Sequence, residues 1–120
     1  MDEHADKRKY LRLSGFLEGT FATDDGINGL IMLTNFSKEG LKASLNRIVE
    51  NGKILKLEIW LPGSIIPTFM KGKVVWITKS SKEWTYDFDA GIKVLEINPE
   101  DRYRLMEFAY EHWRSYRRKE

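Results

Sequence analysis

A chain of 120 residues is long enough for one domain and leaves little room for a second. Hydrophobic residues make up 42% of the sequence and charged residues 32%, a balance typical of a globular rather than a disordered protein. Cysteine is absent, which excludes disulfides, thiolate metal sites and cysteine nucleophiles, and a formal net charge of +2 is too small to define a polyanion-binding protein.

Positive charge is concentrated near both ends of the chain. The cations before the first predicted strand are Lys7, Arg8, Lys9 and Arg12, and those at the other end are Arg114, Arg117, Arg118 and Lys119. We expect residues 1–7 to form a flexible N-terminal arm, residues 8–116 to form the folded domain, and residues 117–120 to be a basic tail. No apolar run approaches the roughly 20 residues of a membrane helix, and the first residues are charged where a signal peptide would be apolar. We therefore expect a cytoplasmic protein without membrane insertion.

Short extended segments dominate the sequence between residues 16 and 97. In chain order they are Phe16–Thr23, Gly29–Thr34, Leu41–Leu45, Ile54–Leu61, Ile65–Thr78 and Trp84–Ile97. In the fourth segment Leu55, Leu57 and Ile59 fall on one face, opposite Lys56, Glu58 and Trp60. The segments are separated by turn residues, of which Asp24-Asp25-Gly26 and Asn51-Gly52 are the strongest signals. Gly91, inside the last segment, indicates a bend or a close backbone approach. Because no helix is predicted between these six segments, the pattern favours a mainly β fold, either an antiparallel barrel or a sandwich.

One C-terminal helix is predicted to begin after Asn98. Asn98 can cap the helix, Pro99 suits its first position, and the carboxylates of Glu100 and Asp101 complement the positive end of the helix dipole. The apolar residues that recur at helical spacing are Leu105, Ala109, Trp113 and Tyr116, with Met106 and Tyr110 alongside. We expect this apolar face to pack against the strands.

The sequence lacks the residue patterns of the common enzyme sites. Its two histidines, His4 and His112, are far apart and have no clustered carboxylates to complete a metal site, so we expect His112 in a surface or packing role. No Walker-type loop or glycine-rich dinucleotide motif is present, and Ser14-Gly15 lacks the flanking glycine of a hydrolase elbow. We therefore expect no catalytic residue, no metal site, no cofactor and no enzyme activity.

Two local patterns stand apart from the strand and helix signals. The first is Arg8-Lys9-Tyr10-Leu11-Arg12, in which two arginines are separated by three residues just before the first strand. The second is Asn35-Phe36-Ser37-Lys38-Glu39-Gly40, an Asn-x-Ser-x-x-Gly turn between two strands. Each has an ordinary structural explanation, since arginine pairs occur on solvated faces and Asn, Ser and Gly are common turn residues.

In this order, the two patterns resemble the signature of the PilZ family. That signature is an Arg-x-x-x-Arg arm, an Asp/Asn-x-Ser-x-x-Gly turn, strands ending in a glycine-hydrophobic stretch, and a C-terminal helix. The late stretch is Gly91-Ile92-Lys93-Val94 here, and the resemblance extends from about Lys7 to Trp113. It implies a six-stranded antiparallel β-barrel of the split-barrel type with a C-terminal α-helix. The sequence departs at Lys7, where many members have arginine, and at Asn35, where Asp is commoner.

The resemblance implies a bacterial receptor that binds the messenger cyclic di-GMP. The ligand-binding residues that it implies are Arg8, Arg12, Asn35, Ser37 and Gly40, with Lys7 beside them. Arginine suits this ligand because its planar fork binds phosphate or the O6 and N7 atoms of guanine bidentately. The amide oxygen of Asn35 can accept from the Watson–Crick edge, and the Ser37 hydroxyl can bond to base or phosphate. Gly40 serves backbone geometry, and Lys7 bears on how many ligand molecules bind.

We expect the signal to pass to an unidentified downstream protein, because no second catalytic or DNA-binding domain is evident. Motility, exopolysaccharide synthesis and adhesion are the usual settings of the family. One alternative is a PilZ-like adaptor that contacts proteins without binding nucleotide. Another is a small β-barrel that stacks single-stranded nucleic acid on Trp60, Trp76, Trp84 and Tyr86. Aromatic residues in so small a barrel more often belong to the core, and the middle of the chain lacks excess cations, so no DNA or RNA is expected.

Overall fold

Six antiparallel strands close into a barrel in the computed structural model, which describes residues 16–37, 40–81 and 85–113. The strands are β1 (Leu17–Thr23), β2 (Asn28–Ser37), β3 (Gly40–Leu45), β4 (Ile54–Ile59), β5 (Thr68–Lys79) and β6 (Phe88–Ile97). Around the barrel the order is β1-β2-β3-β6-β5-β4, and β4 pairs with β1 to close it. The expected mainly β fold, with a six-stranded antiparallel barrel and one C-terminal helix, is confirmed.

The last two strands begin later than the sequence pattern indicates. β5 starts at Thr68 rather than Ile65, because Pro67 has no backbone N–H to donate to a neighbouring strand and residues 62–67 form a loop instead. β6 starts at Phe88 rather than at Trp84, which lies outside the described residues. The hairpin between β5 and β6 is closed by a hydrogen bond of 2.7 Å from the Ser80 N–H to the Asp87 carbonyl oxygen.

Alternation of apolar and polar residues builds the core inside the barrel. In β4 the inward side chains of Leu55, Leu57 and Ile59 are buried, as the sequence predicts. The other strands add further buried apolar side chains, including Phe21, Leu33, Leu45, Val74 and Ile92. One contiguous hydrophobic cluster therefore holds all six strands together.

The C-terminal helix begins as its capping residues predict. Helix α1 spans Pro99–Phe108, and the side chain of Asn98 accepts a hydrogen bond of 2.8 Å from the Glu100 N–H. Arg104 links the helix to the loop before β5, since its guanidinium donates to the Ser64 hydroxyl at 3.1 Å and pairs with Asp101 at 2.7 Å. Among the described residues, no helix has the length and apolar character needed to cross a bilayer.

The packed face of α1 differs from the predicted one at its end. Leu105 is fully buried and Ala109 packs on the core, as expected, and Phe108 joins them although the sequence pattern did not single it out. Met106 and Tyr110 are exposed at the surface. Residues Ala109–Trp113 form a π-helical turn, which shifts the face presented after Phe108. The Trp113 side chain and Tyr116 lie outside the described part of the chain.

Three β-bulges interrupt the alternation of inward and outward side chains, and the one in β6 leaves Leu95 as an extra residue between Val94 and Glu96. In β2, Leu33 pairs with Ala43 and Asn35 pairs with Lys42, so that Thr34 is an extra residue. In β5, Val74 pairs with Ile92 and Trp76 pairs with Gly91, so that Val75 is an extra residue. An extra residue in one strand reverses the face on which the following side chains lie.

Candidate functional site

A cleft of about 410 Å³ crosses the outer surface of four neighbouring strands, β2, β3, β6 and β5. We call it the outer cleft. Its lining residues are Asn35, Gly40, Leu41, Lys42, Val75, Trp76, Gly91, Ile92 and Lys93. It therefore brings together two residues of the predicted turn motif, Asn35 and Gly40, with residues of the late glycine stretch that are distant in sequence.

Asn35 reaches the outer cleft because of the bulge in β2. Without the extra residue Thr34, Asn35 would lie on the same face as the buried Leu33. With it, Phe36 packs into the core and the Asn35 side chain is exposed. The Thr34 hydroxyl donates to the Lys42 carbonyl oxygen at 3.2 Å, which helps to hold the bulge. The local backbone thus presents the Asn35 amide on the outer surface.

Gly40 is required by the close approach of β3 to β6. Its φ of +153° is one that side chains disfavour, and a Cβ at this position would overlap the carbonyl oxygen of Ile92. The expectation that Gly40 serves backbone geometry is confirmed. Any contact between Gly40 and a ligand stays a prediction.

Trp76 lies on the opposite side of the outer cleft and packs on the backbone of Gly91. The two residues are cross-strand partners, and a Cβ on Gly91 would overlap the indole ring at its Nε1 atom. The prediction that another group closely approaches the Gly91 backbone is confirmed, and that group is the Trp76 side chain. The bulge at Val75 turns Trp76 outward and lets Ile77 pack against the core.

Two of the aromatic residues considered for base stacking lie outside the core. Trp76 is 41% exposed and Trp60, which follows β4, is 45% exposed. Trp76 faces outward because of the bulge. Trp60 faces outward because it lies two and four residues after Glu58 and Lys56, whose side chains are on the outer face of β4. Tyr86 is buried as expected, and Trp84 lies outside the described residues.

The charge of the outer cleft is positive. Lys42 on β3 and Lys93 on β6 both line it, and no carboxylate is among the described residues that do so. The sequence analysis did not single out these lysines, although Lys93 lies within the glycine stretch of the resemblance. An open surface with two ammonium groups and an aromatic ring can bind an anionic, planar molecule.

The shortest described ion pair at the β1–β2 hairpin lies away from the outer cleft. The Thr23 hydroxyl donates to Asp25, and Lys53 Nζ lies 3.0 Å from the second carboxylate oxygen of Asp25. The Thr23 hydrogen bond and then the Lys53 contact lower the pKa of the Asp25 carboxyl, and the same carboxylate raises the pKa of the Lys53 amine. These groups close a turn.

A second cleft, of about 470 Å³, lies between the loop before β5 and the C-terminal helix. Its Arg104 is already bonded to Ser64 and Asp101. His112 stacks on Phe108 with ring centroids 4.0 Å apart, and its Nδ1 lies 3.1 Å from the Phe108 carbonyl oxygen. The packing role expected for His112 is confirmed. Within the described ranges, no three His, Asp or Glu side chains are grouped to hold a metal ion.

The side chains of the remaining predicted site residues lie outside the described part of the chain. Lys7, Arg8 and Arg12 precede residue 16, and the backbone of Ser37 ends β2 while its side chain is not described. Their predicted contacts with a ligand stay predictions. Of the six residues predicted to bind a ligand, the structure brings together Asn35 and Gly40.

Comparison with known proteins gives one family. The sequence model of the PilZ domain matches residues 6–111. The match covers both motif segments, all six strands and helix α1. Searches of curated proteins and of solved structures gave no match. Because the match spans nearly the whole chain, the protein belongs to the PilZ domain family.

Proposed function

We propose that this protein is a receptor for cyclic di-GMP that performs no catalysis and couples the level of this messenger to a partner protein. The observation that carries the proposal is membership of the PilZ family by a chain in which both ligand-binding motifs are intact. Those motifs supply Arg8 and Arg12 before β1, and Asn35, Ser37 and Gly40 at the β2–β3 hairpin. The messenger is bacterial and is made inside the cell, so the proposal includes a bacterial, cytoplasmic setting.

The ligand has two guanines and two phosphates, and each calls for a particular protein group. Arg8 and Arg12 supply planar forks that bind phosphate or the O6 and N7 edge of guanine in two places at once. Asn35 supplies an amide oxygen that accepts from guanine N–H groups, less strongly than an aspartate would because it has no full charge. Ser37 supplies a hydroxyl for base or phosphate.

The outer cleft supports this assignment. It has the volume of small-molecule sites, which is roughly 300–1,000 Å³, and it is lined by Asn35 and Gly40 together with Lys42 and Lys93. The hairpin that bears the turn motif lies at one edge of the cleft, since β2 ends at Ser37 and β3 begins at Gly40. A ligand held by that hairpin has a positively charged surface beside it.

The segment before β1 that contains Arg8 and Arg12 gives the receptor a means of responding to the ligand. Arg8 and Arg12 precede β1, so a ligand that binds both the arm and the β2–β3 hairpin draws two separate parts of the chain together. We propose that residues 5–13 become ordered against the barrel when the ligand phosphates are bound. The ordered arm and the adjoining barrel surface then form the face that the partner protein recognises.

Exposed apolar side chains favour a protein partner. Ile65 is 91% exposed, and Ile66, Tyr103 and Tyr110 are also exposed. Ile65 and Ile66 lie in the loop before β5, and the two tyrosines lie on the C-terminal helix. Surfaces of this kind are typical of interaction sites. They suit both the proposed receptor and an adaptor that binds no nucleotide, and ligand binding separates the two.

Calorimetry with cyclic di-GMP tests the proposal. Micromolar binding corresponds to about 8 kcal/mol, and a hydrogen bond to a charged group contributes roughly 1.5–3 kcal/mol, so Arg8→Ala and Arg12→Ala should each weaken binding at least about tenfold. Lys9→Ala is the control. It removes one positive charge from the same segment but leaves both motif arginines, so it should change the affinity less than about threefold. The measured stoichiometry shows whether a protein with Lys7 at this position binds one ligand molecule or two. A folded wild-type sample that gives no heat at high micromolar ligand contradicts the receptor assignment.

A further inference from the structure

We propose that the loop between β4 and β5 docks this protein on the surface of an anionic lipid bilayer. The loop comprises residues 60–67. It places Ile65 and Ile66 at the boundary between headgroups and acyl chains, while lysines of β4 and β5 meet the headgroups. The inference goes beyond the proposed function, because it concerns where the protein sits and needs no cyclic di-GMP. The expected absence of membrane insertion then holds for spanning helices but not for this loop tip.

The first observation is a long stretch of sequence without charge. The twelve residues Ile59–Met70 contain no Asp, Glu, Lys or Arg. Charged residues make up 32% of the chain, so a stretch of this length would carry about four at the average composition. Loops of globular proteins are normally polar, because they face water. An uncharged loop is typical of a segment that meets an apolar phase.

The second observation is that apolar side chains of this stretch project from the protein. Ile65 is 91% exposed and Ile66 is 62% exposed. Trp60 and Phe69, on either side of them in sequence, are 45% and 55% exposed. The fold gains little from side chains this exposed, so the favourable burial of their apolar area is left to a surface outside the protein. Tryptophan beside such a tip is typical of a membrane interface, since its ring is apolar and its N–H is polar.

The third observation is the backbone of the loop, which favours lipid over a protein groove as the surface that covers the tip. Pro62 and Pro67 have no backbone N–H group. The Ser64 N–H donates to the Leu61 carbonyl oxygen at 3.2 Å, and the Ser64 hydroxyl donates to the Ile66 carbonyl oxygen at 2.9 Å. A protein groove can pair free backbone groups, but acyl chains cannot. A loop with missing donors and internally paired groups therefore enters lipid at a lower cost.

The fourth observation is positive charge behind the loop. Strands β4 and β5 together carry one glutamate, Glu58, and four lysines, which are Lys56, Lys71, Lys73 and Lys79. Lys56 and Lys71 lie directly opposite each other in the β4–β5 ladder, an arrangement in which like charges repel. Their nearest carboxylates, on Asp24 and Glu96, are exposed and lie 3.9 Å and 3.6 Å away, so they compensate little of this repulsion. Anionic headgroups compensate it further, and this complementarity identifies the lipid as anionic.

Two carboxylates determine how the protein lies on the bilayer. Glu107 and Glu111 line the cleft between the loop and α1, on the helix side. Because anionic lipid repels them, the protein approaches with its β4–β5 side toward the headgroups and α1 turned away. The exposed apolar surface is thus divided: the loop isoleucines face lipid, and Tyr103 and Tyr110 on α1 remain for the protein partner.

Sedimentation with lipid vesicles, in the absence of cyclic di-GMP, tests the inference. The protein should bind vesicles made of phosphatidylglycerol and phosphatidylcholine in similar amounts, and should bind phosphatidylcholine vesicles at least about tenfold more weakly. Ile66→Ser should weaken binding to the mixed vesicles about tenfold, because it removes apolar area from the tip. Ile48→Ser is the matched control. Ile48 is also 62% exposed but lies between β3 and β4, at the other end of β4, so its substitution should leave binding unchanged.

The same assay tests the lysines. Lys56→Gln and Lys71→Gln should each weaken binding to the mixed vesicles about fivefold and leave binding to phosphatidylcholine unchanged, because each removes one cation near the headgroups. Lys79→Gln is the control, since Lys79 ends β5 at the opposite end from the loop, and it should do neither. Equal effects of all three substitutions would show that overall charge attracts the vesicles and would overturn the roles of Lys56 and Lys71.

Tryptophan fluorescence gives a second measurement. Trp60 begins the loop and is exposed, so mixed vesicles should shift the emission of the protein to shorter wavelength as this indole leaves water. Most of the shift should be lost in Trp60→Phe and kept in Trp76→Phe, because Trp76 lines the outer cleft instead. Equal shifts in the two variants would contradict entry of the loop.

Two further results would overturn the proposal. Wild-type protein that sediments with neither kind of vesicle would show that the loop docks no bilayer and would leave its isoleucines to a protein partner. Vesicle binding that Ile65→Ser and Ile66→Ser both leave unchanged would show adsorption by charge alone. Neither result affects the receptor assignment, which calorimetry with cyclic di-GMP tests in the absence of lipid.

Discussion

Gly40 shows how a residue of the binding motif can be fixed by the fold itself. It combines a φ of +153° with a backbone contact to Ile92 that leaves no space for a Cβ. Loss of ligand binding in a Gly40 variant would therefore report damage to the β3–β6 pairing as well as any lost contact with the ligand. Asn35, whose exposed amide is not part of that pairing, is the better residue for testing recognition of the base.

We predict that Gly40→Ala lowers the free energy of unfolding by about 3 kcal/mol, from backbone strain together with the steric overlap. Gly52→Ala is the matched control, since Gly52 has a φ of +89° but no neighbouring atom near the position of a Cβ. It should lower the free energy of unfolding by only about 1 kcal/mol. Urea denaturation of the two variants measures the difference, and equal losses would contradict the steric part of the argument.

The faces of individual residues were predictable where alternation is unbroken. Leu55, Leu57 and Ile59 lie inward because a strand with one buried face must alternate, and the sequence displays that alternation. The outward face of Trp76 was not predictable, because size and hydrophobicity do not tell which face of a strand a residue occupies. For Trp76 the face depends on an extra residue one position earlier.

At the scale of elements, local sequence signals predicted where the helix begins, but the register in which the strands pair could not be predicted. The start of α1 was predictable because Asn98 and Pro99 act on the first turn of their own helix. The bulges at Thr34 and Val75 depend on how β2 and β5 pair with other strands, and both residues suit an ordinary strand equally well. Part of the outer cleft could therefore not be predicted from the sequence, namely the direction of Trp76 and the positions of Lys42 and Lys93 beside it.

We predict that Asn98→Ala destabilises the protein by about 1 kcal/mol, because it removes the acceptor for the Glu100 N–H at the first turn of α1. Asn98→Asp keeps an acceptor and adds a charge that complements the helix dipole, so its stability should equal or exceed that of the wild type. Thermal or urea unfolding measures both. A cost in Asn98→Asp as large as that in Asn98→Ala would show that the cap does not stabilise the helix.

At the scale of the whole molecule, the proposed receptor joins a segment before β1 to a cleft on β2, β3, β6 and β5. Binding should therefore affect residues before β1 as well as the barrel surface. We predict that cyclic di-GMP slows hydrogen exchange across residues 5–13, because ligand phosphates bridge Arg8 and Arg12 to the barrel surface. Exchange measured by mass spectrometry with and without ligand tests this.

Arg12→Ala is the control for the exchange experiment. At a ligand concentration that saturates the wild type, it should show little added protection in residues 5–13, while amides of the barrel core keep their slow exchange. Unchanged exchange in the saturated wild type would remove the proposed ordering of the arm and leave ligand binding itself unaffected.

Closure of the barrel has a consequence for how the protein recognises others. Each of the six described strands has a hydrogen-bonded neighbour on both sides, because β4 returns to β1. The described part of the chain therefore has no edge strand to which a peptide from another protein could add a further strand. Recognition at the barrel has to use outward side chains and loops. A single surface substitution can therefore remove binding to one partner and leave the backbone hydrogen bonds between the strands intact.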